Sequence, residues 1–358
     1  MIFSGLRTIS FRNLCDNEVE TGGKDVFLVG ENGQGKTNFL ESLYFCSYAS
    51  SFRDVRDGDL VRGGGKNCAV LARLEGSLYS RLWVKYEHAK KIIELDGKRL
   101  DDRKKLIQIV PCIVFCHEDM EFVSGTPEDR RRFFDQTQSL YDLVYLDDLR
   151  KYRKVLKTRN AVLKSGGNGS ILDTLDPQLA EYGLKLMEKR EEAVRHFSGI
   201  FGPLYQEVSG LDGISIRYSP SWKMGSSAGI MALLGERREQ ERVMGVSLSG
   251  PHRDRYVFTR HGAEFAVRAS TGQRRLLALL LRIAQARRFS FMTGKNPILL
   301  LDDVLLEIDT EKRRRFIAAM PEYDQAFYTF LPEEPYERYR TSDTLVYRVA
   351  DGELLRMG

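Results

Sequence analysis

The chain has 358 residues, of which 42% are hydrophobic and 29% charged, with a formal net charge of +5. That length accommodates two or three domains or lobes, and the longest apolar stretches, such as Leu276 to Leu281 and Ile298 to Leu301, fall far short of the roughly 18 residues a membrane span requires. Arg7 and Arg12 interrupt any signal-peptide pattern, and five irregularly spaced cysteines describe no disulfide framework; the expectation is a cytoplasmic protein without a membrane role, whose mild positive charge permits a nucleic-acid partner without demanding one.

In chain order, the first informative segment is Gly30-Glu31-Asn32-Gly33-Gln34-Gly35-Lys36-Thr37, which fits Gly-x-x-x-x-Gly-Lys-Thr at every fixed position. The context fits too. Val26-Phe27-Leu28-Val29 ahead of it is an apolar run suited to a buried strand, and Phe39, Leu40, Leu43 and Phe45 after it recur at helical spacing. Glycines at these positions let backbone N–H groups converge on phosphate oxygens beside a helix N-terminus whose dipole favours anions. Lys36 is placed to reach the β- and γ-phosphates and the Thr37 hydroxyl to bind Mg²⁺, so ATP and Mg²⁺ are the expected ligands. Without the flanking strand and helix the same glycines would mark only a turn.

Asp96-Gly97 predicts a hairpin turn between Ile92–Leu95 and Lys98–Leu100. Cys112 and Cys116 with His117 form an incomplete ligand set and read as buried thiols in an apolar strand; Glu118 and Asp119 after that strand are candidates for a Q-loop acid. Thr126-Pro127-Glu128-Asp129 is a well-formed helix start. A helical region is predicted from there to about Lys164, with Tyr145, Leu149, Tyr152, Leu156 and Leu163 on one seam that Arg159 interrupts. Ser165-Gly166-Gly167-Asn168-Gly169-Ser170 breaks it, and Leu175, Leu179, Tyr182, Leu186, Phe197 and Leu204 resume the spacing. The chain is therefore expected to fold back as an antiparallel helical hairpin. Arg150, Lys151, Arg153, Lys154 and Lys157 fall on its outer face and Arg130, Arg131 and Arg132 at its base. Such charge runs are most often solvated faces, with DNA phosphate contact as the functional alternative. Ile214, Ile216 and Tyr218 alternate as a strand does, and Ile230 to Met244 reads as another helix.

Ser270-Thr271-Gly272-Gln273 opens the strongly helical Leu276 to Phe289. It resembles the signature motif of the ATP-binding-cassette (ABC) superfamily, in which Ser270, Gly272 and Gln273 would contact ATP held by a second subunit. Thirty residues further on, Ile298-Leu299-Leu300-Leu301 ends in Asp302-Asp303. An apolar central strand delivering a carboxylate makes Asp302 the expected Mg²⁺ ligand. Asp303, on the opposite side by strand alternation, is the expected catalytic partner of Lys36, orienting or deprotonating the attacking water. Asp309 matches the position of a D-loop acid in Leu306-Glu307-Ile308-Asp309. About 230 residues separate the phosphate loop from the signature, more than a compact phosphate-loop core needs. The expected fold is thus α/β: an ABC-type phosphate-loop ATPase head formed by residues 1–125 and 246–358, with a mainly helical arm, 126–245, inserted between.

A phosphate loop and a distant signature separated by a helical hairpin resemble the heads of the SMC and Rad50 group. The short hairpin makes the chain most similar to the RecF family, on Ser10-Phe11-Arg12-Asn13-Leu14, Ser51-Phe52-Arg53, Gly125-Thr126-Pro127 with Arg130 to Asp135, Tyr152 to Asn160 and Gly250-Pro251-His252-Arg253-Asp254. That resemblance implies a weak DNA-stimulated ATPase of recombinational repair that dimerises on ATP over duplex or gapped DNA, helps RecO and RecR load the RecA recombinase, and supports replication and SOS induction. The chain departs from the family pattern at Arg255, where another acid is usual, and at Thr329, where a γ-phosphate-sensing histidine would stand in related ATPases. The shorter arm of Asp303, in place of the glutamate common in transporters, suggests slow hydrolysis. The ATP-hydrolysing subunit of an ABC transporter is the competing reading of the motifs, though it gives the basic hairpin and the Gly250 to Asp254 stretch no purpose. A metabolic kinase has no use for the signature, and the sequence carries no Asn-Lys-x-Asp motif of a GTPase.

Overall fold

All five residues of the strand Asp25–Val29 are buried, as a strand covered on both faces requires. In the computed structural model, which describes residues 1–53, 55–166, 169–304 and 309–357, this strand is central to a six-stranded sheet. The order is Glu353–Met357, Thr344–Ala350, Asp25–Val29, Gln325–Phe330, Ile298–Leu301, Cys112–Phe115. All neighbours are parallel except the C-terminal hairpin. The register sets Leu300 against both Val114 and Phe327, and Phe327 against Val26. Chain ends far apart in sequence are thereby zipped into one layer.

The helix Lys36–Tyr48 follows the phosphate loop and is buried on most sides. Phe39, Leu40, Leu43 and Phe45 share one core with Val26, Leu28 and Phe327 of the parallel sheet and with Val70, Ala72 and Val84 of a second, antiparallel one. Full burial of each such side chain is worth roughly 1.5–3 kcal/mol. The helix is thus pinned between two sheets, which fixes the end of the loop that leads into it. The second sheet runs Glu18–Glu20, Ile2–Ile9, Asn67–Glu75, Arg81–Glu87, Lys90–Leu95, Lys98–Arg99. Its last turn is the predicted one, with Asp96 at φ 47° and Gly97 at φ 80°, the left-handed pair a two-residue hairpin needs.

The chain divides into two compact units, Met1–Asp119 with Phe289–Gly358, and Met120–Arg288. The division differs from the one drawn from the sequence, because residues 246–288 pack within the second unit. There the segment after Gly250 is tied to the arm by buried polar contacts that hydrophobic spacing does not register. The hairpin itself is present as Leu143–Lys164 and Gly169–Ser209. Gly167 and Asn168 of the predicted break lie outside the described residues. The helical region expected from Thr126 is two helices, Pro127–Ser139 and Leu143–Lys164, because Asp142 adopts an extended conformation and its side chain caps the second by accepting the Tyr145 N–H at 2.9 Å. Thr126 caps the first helix as expected, and Asp129 completes a capping box with it. The strand Ile214–Ser219 and the helix Ser227–Met244 match the sequence reading, the strand pairing with Arg255–Arg260 in a three-stranded sheet. No helix among the described residues is long and apolar enough to cross a membrane.

Candidate nucleotide site

The phosphate loop spans Gly30 to Gly35 and delivers Lys36 and Thr37 at the start of the helix. Gly33 at φ 81° and Gly35 at φ 117° lie in the region that excludes most side chains. A Cβ on Gly30 would lie 2.3 Å from the Val349 carbonyl oxygen, so that position is closed to anything larger. The Lys36 ammonium is buried and donates to the carbonyls of Gly30 and Glu31, the latter at 3.0 Å, curling over the loop. Glu31 and Asn32 are exposed at the rim. The Thr37 hydroxyl donates to Asp302 Oδ1 at 2.9 Å, joining the loop to the end of the strand Ile298–Leu301.

Asp302 is partly buried, and its carboxyl is pushed up to about 6 by desolvation and then by the charge of Asp303; Thr37, Arg53 and Thr329 act in the opposite direction. The donors are the hard oxygens that Mg²⁺ prefers, on a site whose acid carries an electrostatic cost that a cation would relieve. Asp303 does not face away from Asp302 as strand alternation predicted. The strand has ended, Asp303 sits at φ 50°, and the Thr329 hydroxyl meets both acids: it accepts the Asp303 N–H at 2.7 Å and lies 2.9 Å from Asp303 Oδ1 and 3.3 Å from Asp302 Oδ1. A left-handed residue reverses the side-chain direction that a strand would impose. Thr329 is therefore the structural hub of the acid pair.

Beneath the loop is a charged cluster that the sequence did not single out. Glu41, wholly buried, takes a two-pronged contact from Arg12 at 2.7 and 2.9 Å and lies 3.9 Å from Arg53. Arg53 also donates to Asn38 at 3.1 Å, and Asn38 donates to Asn13 at 2.7 Å. The signal was a glutamate in the middle of an otherwise core-facing helix, which needs a cationic partner. Arg12, Asn13 and Arg53 belong to the short stretches that carry the family resemblance. Of the Q-loop candidates, Glu118 is exposed, whereas Asp119 is buried and accepts the Cys116 N–H at 3.1 Å within its own turn. Cys112 is buried, accepts from Ser47 at 2.8 Å, and burial pushes its thiol up to about 12, a state without nucleophilic character at neutral pH.

The signature residues belong to the second unit. Ser270 and Gln273 form a reciprocal cap, the Ser270 N–H donating to Gln273 Oε1 at 2.9 Å and the Gln273 N–H to Ser270 Oγ at 3.2 Å, at the head of the helix Thr271–Thr293. Ser270 and Gly272 are exposed, and a Cβ on Gly272 would meet nothing within 4 Å. Of the D-loop, residues 306–308 lie outside the described residues. Asp309 caps the helix Thr310–Ala318 and pairs with Lys312 at 2.6 Å.

In the second unit the remaining family-like stretches prove to be joined to each other. Arg159 does not interrupt the hairpin seam but lies inside it, fully buried, with Nε 2.7 Å from Asp176, Nη1 donating to Ser247 Oγ at 2.8 Å and lying 2.7 Å from Glu241. Asn160 accepts from Ser247, and the Tyr152 hydroxyl meets His252 Nδ1 at 2.7 Å. Arg190 bridges Asp135 and Asp254 at 2.8 Å each. Gly250 is at φ 128°, where a Cβ would lie 2.7 Å from the Tyr152 hydroxyl. Arg255, next in sequence to this network, is exposed. At the base of the hairpin, Arg130 and Arg131 donate to backbone carbonyls of Val123 and Asp254, and Arg132 pairs with Glu121. These three arginines are spent on the unit itself. On the outer face Arg150, Lys151, Arg153, Lys154 and Lys157 are exposed, although Arg153 contacts Asp135 at 3.2 Å.

No family model matches the chain. It is 43% identical over 349 residues to the DNA replication and repair protein RecF of Treponema pallidum (strain Nichols), covering 97% of this chain and 99% of that protein. It superposes with a TM-score of 0.87 on a structure of the recombination mediator protein RecF with ATP in the RecFOR pathway, at 25% identity, covering 99% of this chain and 97% of that one. A likeness of TM-score 0.56 to an Smc head bound to the C-winged helix domain of ScpA, at 14% identity over 99% of this chain and 97% of that one, concerns the fold alone. The fold is that of an ABC-type ATPase head with a helical insertion. With identity of this level sustained across nearly the whole of both chains, the protein belongs to the RecF family of DNA replication and repair proteins.

Proposed function

We propose that the chain is an ATP-driven switch on DNA. The observation that carries this reading is the Thr37 to Asp302 hydrogen bond of 2.9 Å, which closes the phosphate loop and the acid-bearing strand into one cradle, in a chain of a family with an ATP-bound relative. In this reading the loop N–H groups and Lys36 take the β- and γ-phosphates, the ammonium exchanging its loop carbonyls for phosphate oxygens. Thr37 and Asp302 would hold Mg²⁺, whose charge offsets that of the phosphates when bound. Asp303 orients the attacking water once its carboxylate leaves Thr329, a step that favours slow turnover over fast cycling.

Ser270 and the exposed helix start with Gly272 are suited to the γ-phosphate of a second copy, the residue without a side chain allowing close approach. Dimerisation on ATP then closes the protein over duplex or gapped DNA, where Lys154, Lys157 and their neighbours on the arm add phosphate contacts that carry little base preference. Residues 1–119 and 289–358 act as the nucleotide-holding part of the head, and the second unit carries both the hairpin arm and the signature. The partners are RecO- and RecR-type mediators, the consequence RecA loading on gaps, replication maintenance and SOS induction, and the compartment the cytoplasm. Sedimentation velocity tests the switch: with ATP and Mg²⁺ the 41.0 kDa chain should sediment as a dimer, and a chain that binds ATP yet stays monomeric at all concentrations contradicts it.

A further inference from the structure

The C-terminal hairpin ends in an Asp351-Gly352 turn between Thr344–Ala350 and Glu353–Met357, with Ala350 opposite Glu353. Asp351 at φ 50° and Gly352 at φ 80° make it the left-handed two-residue type. The N–H groups at such a tip point away from the hairpin's own ladder and need partners elsewhere. Both find the same one. The Asp351 N–H donates to Gln34 Oε1 at 2.6 Å and the Gly352 N–H to the Gln34 carbonyl at 2.9 Å. The fit is closed from the other side, since the Gly352 carbonyl accepts the Cys15 N–H at 2.9 Å and a Cβ on Gly352 would lie 1.9 Å from the Asn13 carbonyl oxygen. Asn13 in turn donates from Nδ2 to the Gly33 carbonyl at 3.3 Å.

The C=O and N–H of one trans peptide point in opposite directions. Gripping the Gln34 carbonyl from outside therefore fixes the Gly35 N–H toward the hollow of the phosphate loop. With φ 117° at Gly35 and no side chain to hinder it, this peptide would rotate readily were it not held. We infer that the tip of the C-terminal hairpin is a positioning element of the nucleotide cradle: Asp351 and Gly352, acting through Gln34, keep the Gly35 N–H aimed at phosphate. This inference rests on the ATP reading above. It assigns a role in binding to residues more than 300 positions from the loop they serve.

The test is displacement of a fluorescent ATP analogue from the full chain by ATP and, separately, by inorganic tripolyphosphate, for the unaltered protein, Gln34→Ala and Gly352→Ala. Gln34→Ala removes one of the two bonds to the tip and should weaken both competitors by the same roughly threefold to tenfold, the scale of one hydrogen bond, with its urea midpoint lowered by no more than about 0.7 M. Gly352→Ala should lose more; if it fails to fold, Gln34→Ala decides alone. Wild-type displacement by both competitors in Gln34→Ala, or a loss confined to ATP, overturns the positioning role while leaving the ATP reading intact. An unaltered chain that binds no nucleotide overturns both.

Discussion

Replacing Arg159 by methionine should destabilise the second unit strongly, and the size of the effect follows from its neighbours. The side chain is fully buried between Asp176 and Glu241, whose own side chains are 1% and 0% exposed. Removing one member of a buried ion cluster costs about 3–5 kcal/mol, because the remaining charges stay desolvated. Here the loss should fall at the lower end. Asp176 keeps Arg238 at 2.9 Å, and Glu241 keeps the Leu248 N–H at 2.8 Å. At a urea slope of about 2 kcal/mol/M, 3 kcal/mol moves the midpoint by about 1.5 M. The chain has two tryptophans, Trp83 and Trp222. Trp222 is fully buried in a cluster with Tyr145 and Tyr152, so in a Trp83→Phe background its fluorescence reports on this unit. A midpoint lowered by less than about 0.3 M would refute the claim that Arg159 organises the arm.

Lys36→Ala should abolish detectable ATP binding in equilibrium dialysis, since it deletes the buried ammonium that curls over the loop. Ser270→Arg should leave ATP binding by the monomer within about twofold and eliminate ATP-induced dimerisation in sedimentation; normal dimerisation would disprove the contribution across subunits. The Asp302 carboxyl, at about 6, holds its proton more tightly folded than unfolded, where the ordinary value is 3.8. Its contribution to stability is therefore complete below about pH 4 and lost as pH rises through 6, whereas cation binding needs the ionised form. The Mg²⁺-dependent gain in ATP affinity should fall as pH drops through 6, and Asp303→Asn, by removing one of the causes that raise Asp302, should move that fall to lower pH. A pH-independent gain would contradict the assignment of Asp302.

Some of this architecture could be read directly from the chain because its signals are local. The glycines of the loop, the helix cap at Thr126 and the turn at Asp96-Gly97 each encode their conformation within a few residues. The helical hairpin is legible for the same reason, from spacing alone. What spacing does not encode is where a polar side chain finds its partner. Arg159 reads as an interruption until Asp176, 17 positions on, and Glu241 are seen beside it. Residues 246–288 read as part of the head because the motifs that follow belong to it, while Asp254 and His252 are bonded to Arg190 and Tyr152 of the arm. The direction of Asp303 escaped for a third reason: one residue at φ 50° ends the strand alternation on which the expectation rested. Likewise, the hold of the C-terminal turn on Gln34 joins residues 317 positions apart and involves backbone donors that any sequence supplies.

The most direct measurement is sedimentation of the purified protein with labelled duplex DNA, with and without ATP, at two salt concentrations. An ATP-driven switch should give a dimer on DNA only with ATP, at an affinity falling steeply with salt because phosphate contacts dominate. DNA binding that is the same with and without ATP would contradict the switch, and a monomer indifferent to DNA would leave only the ATPase fold standing.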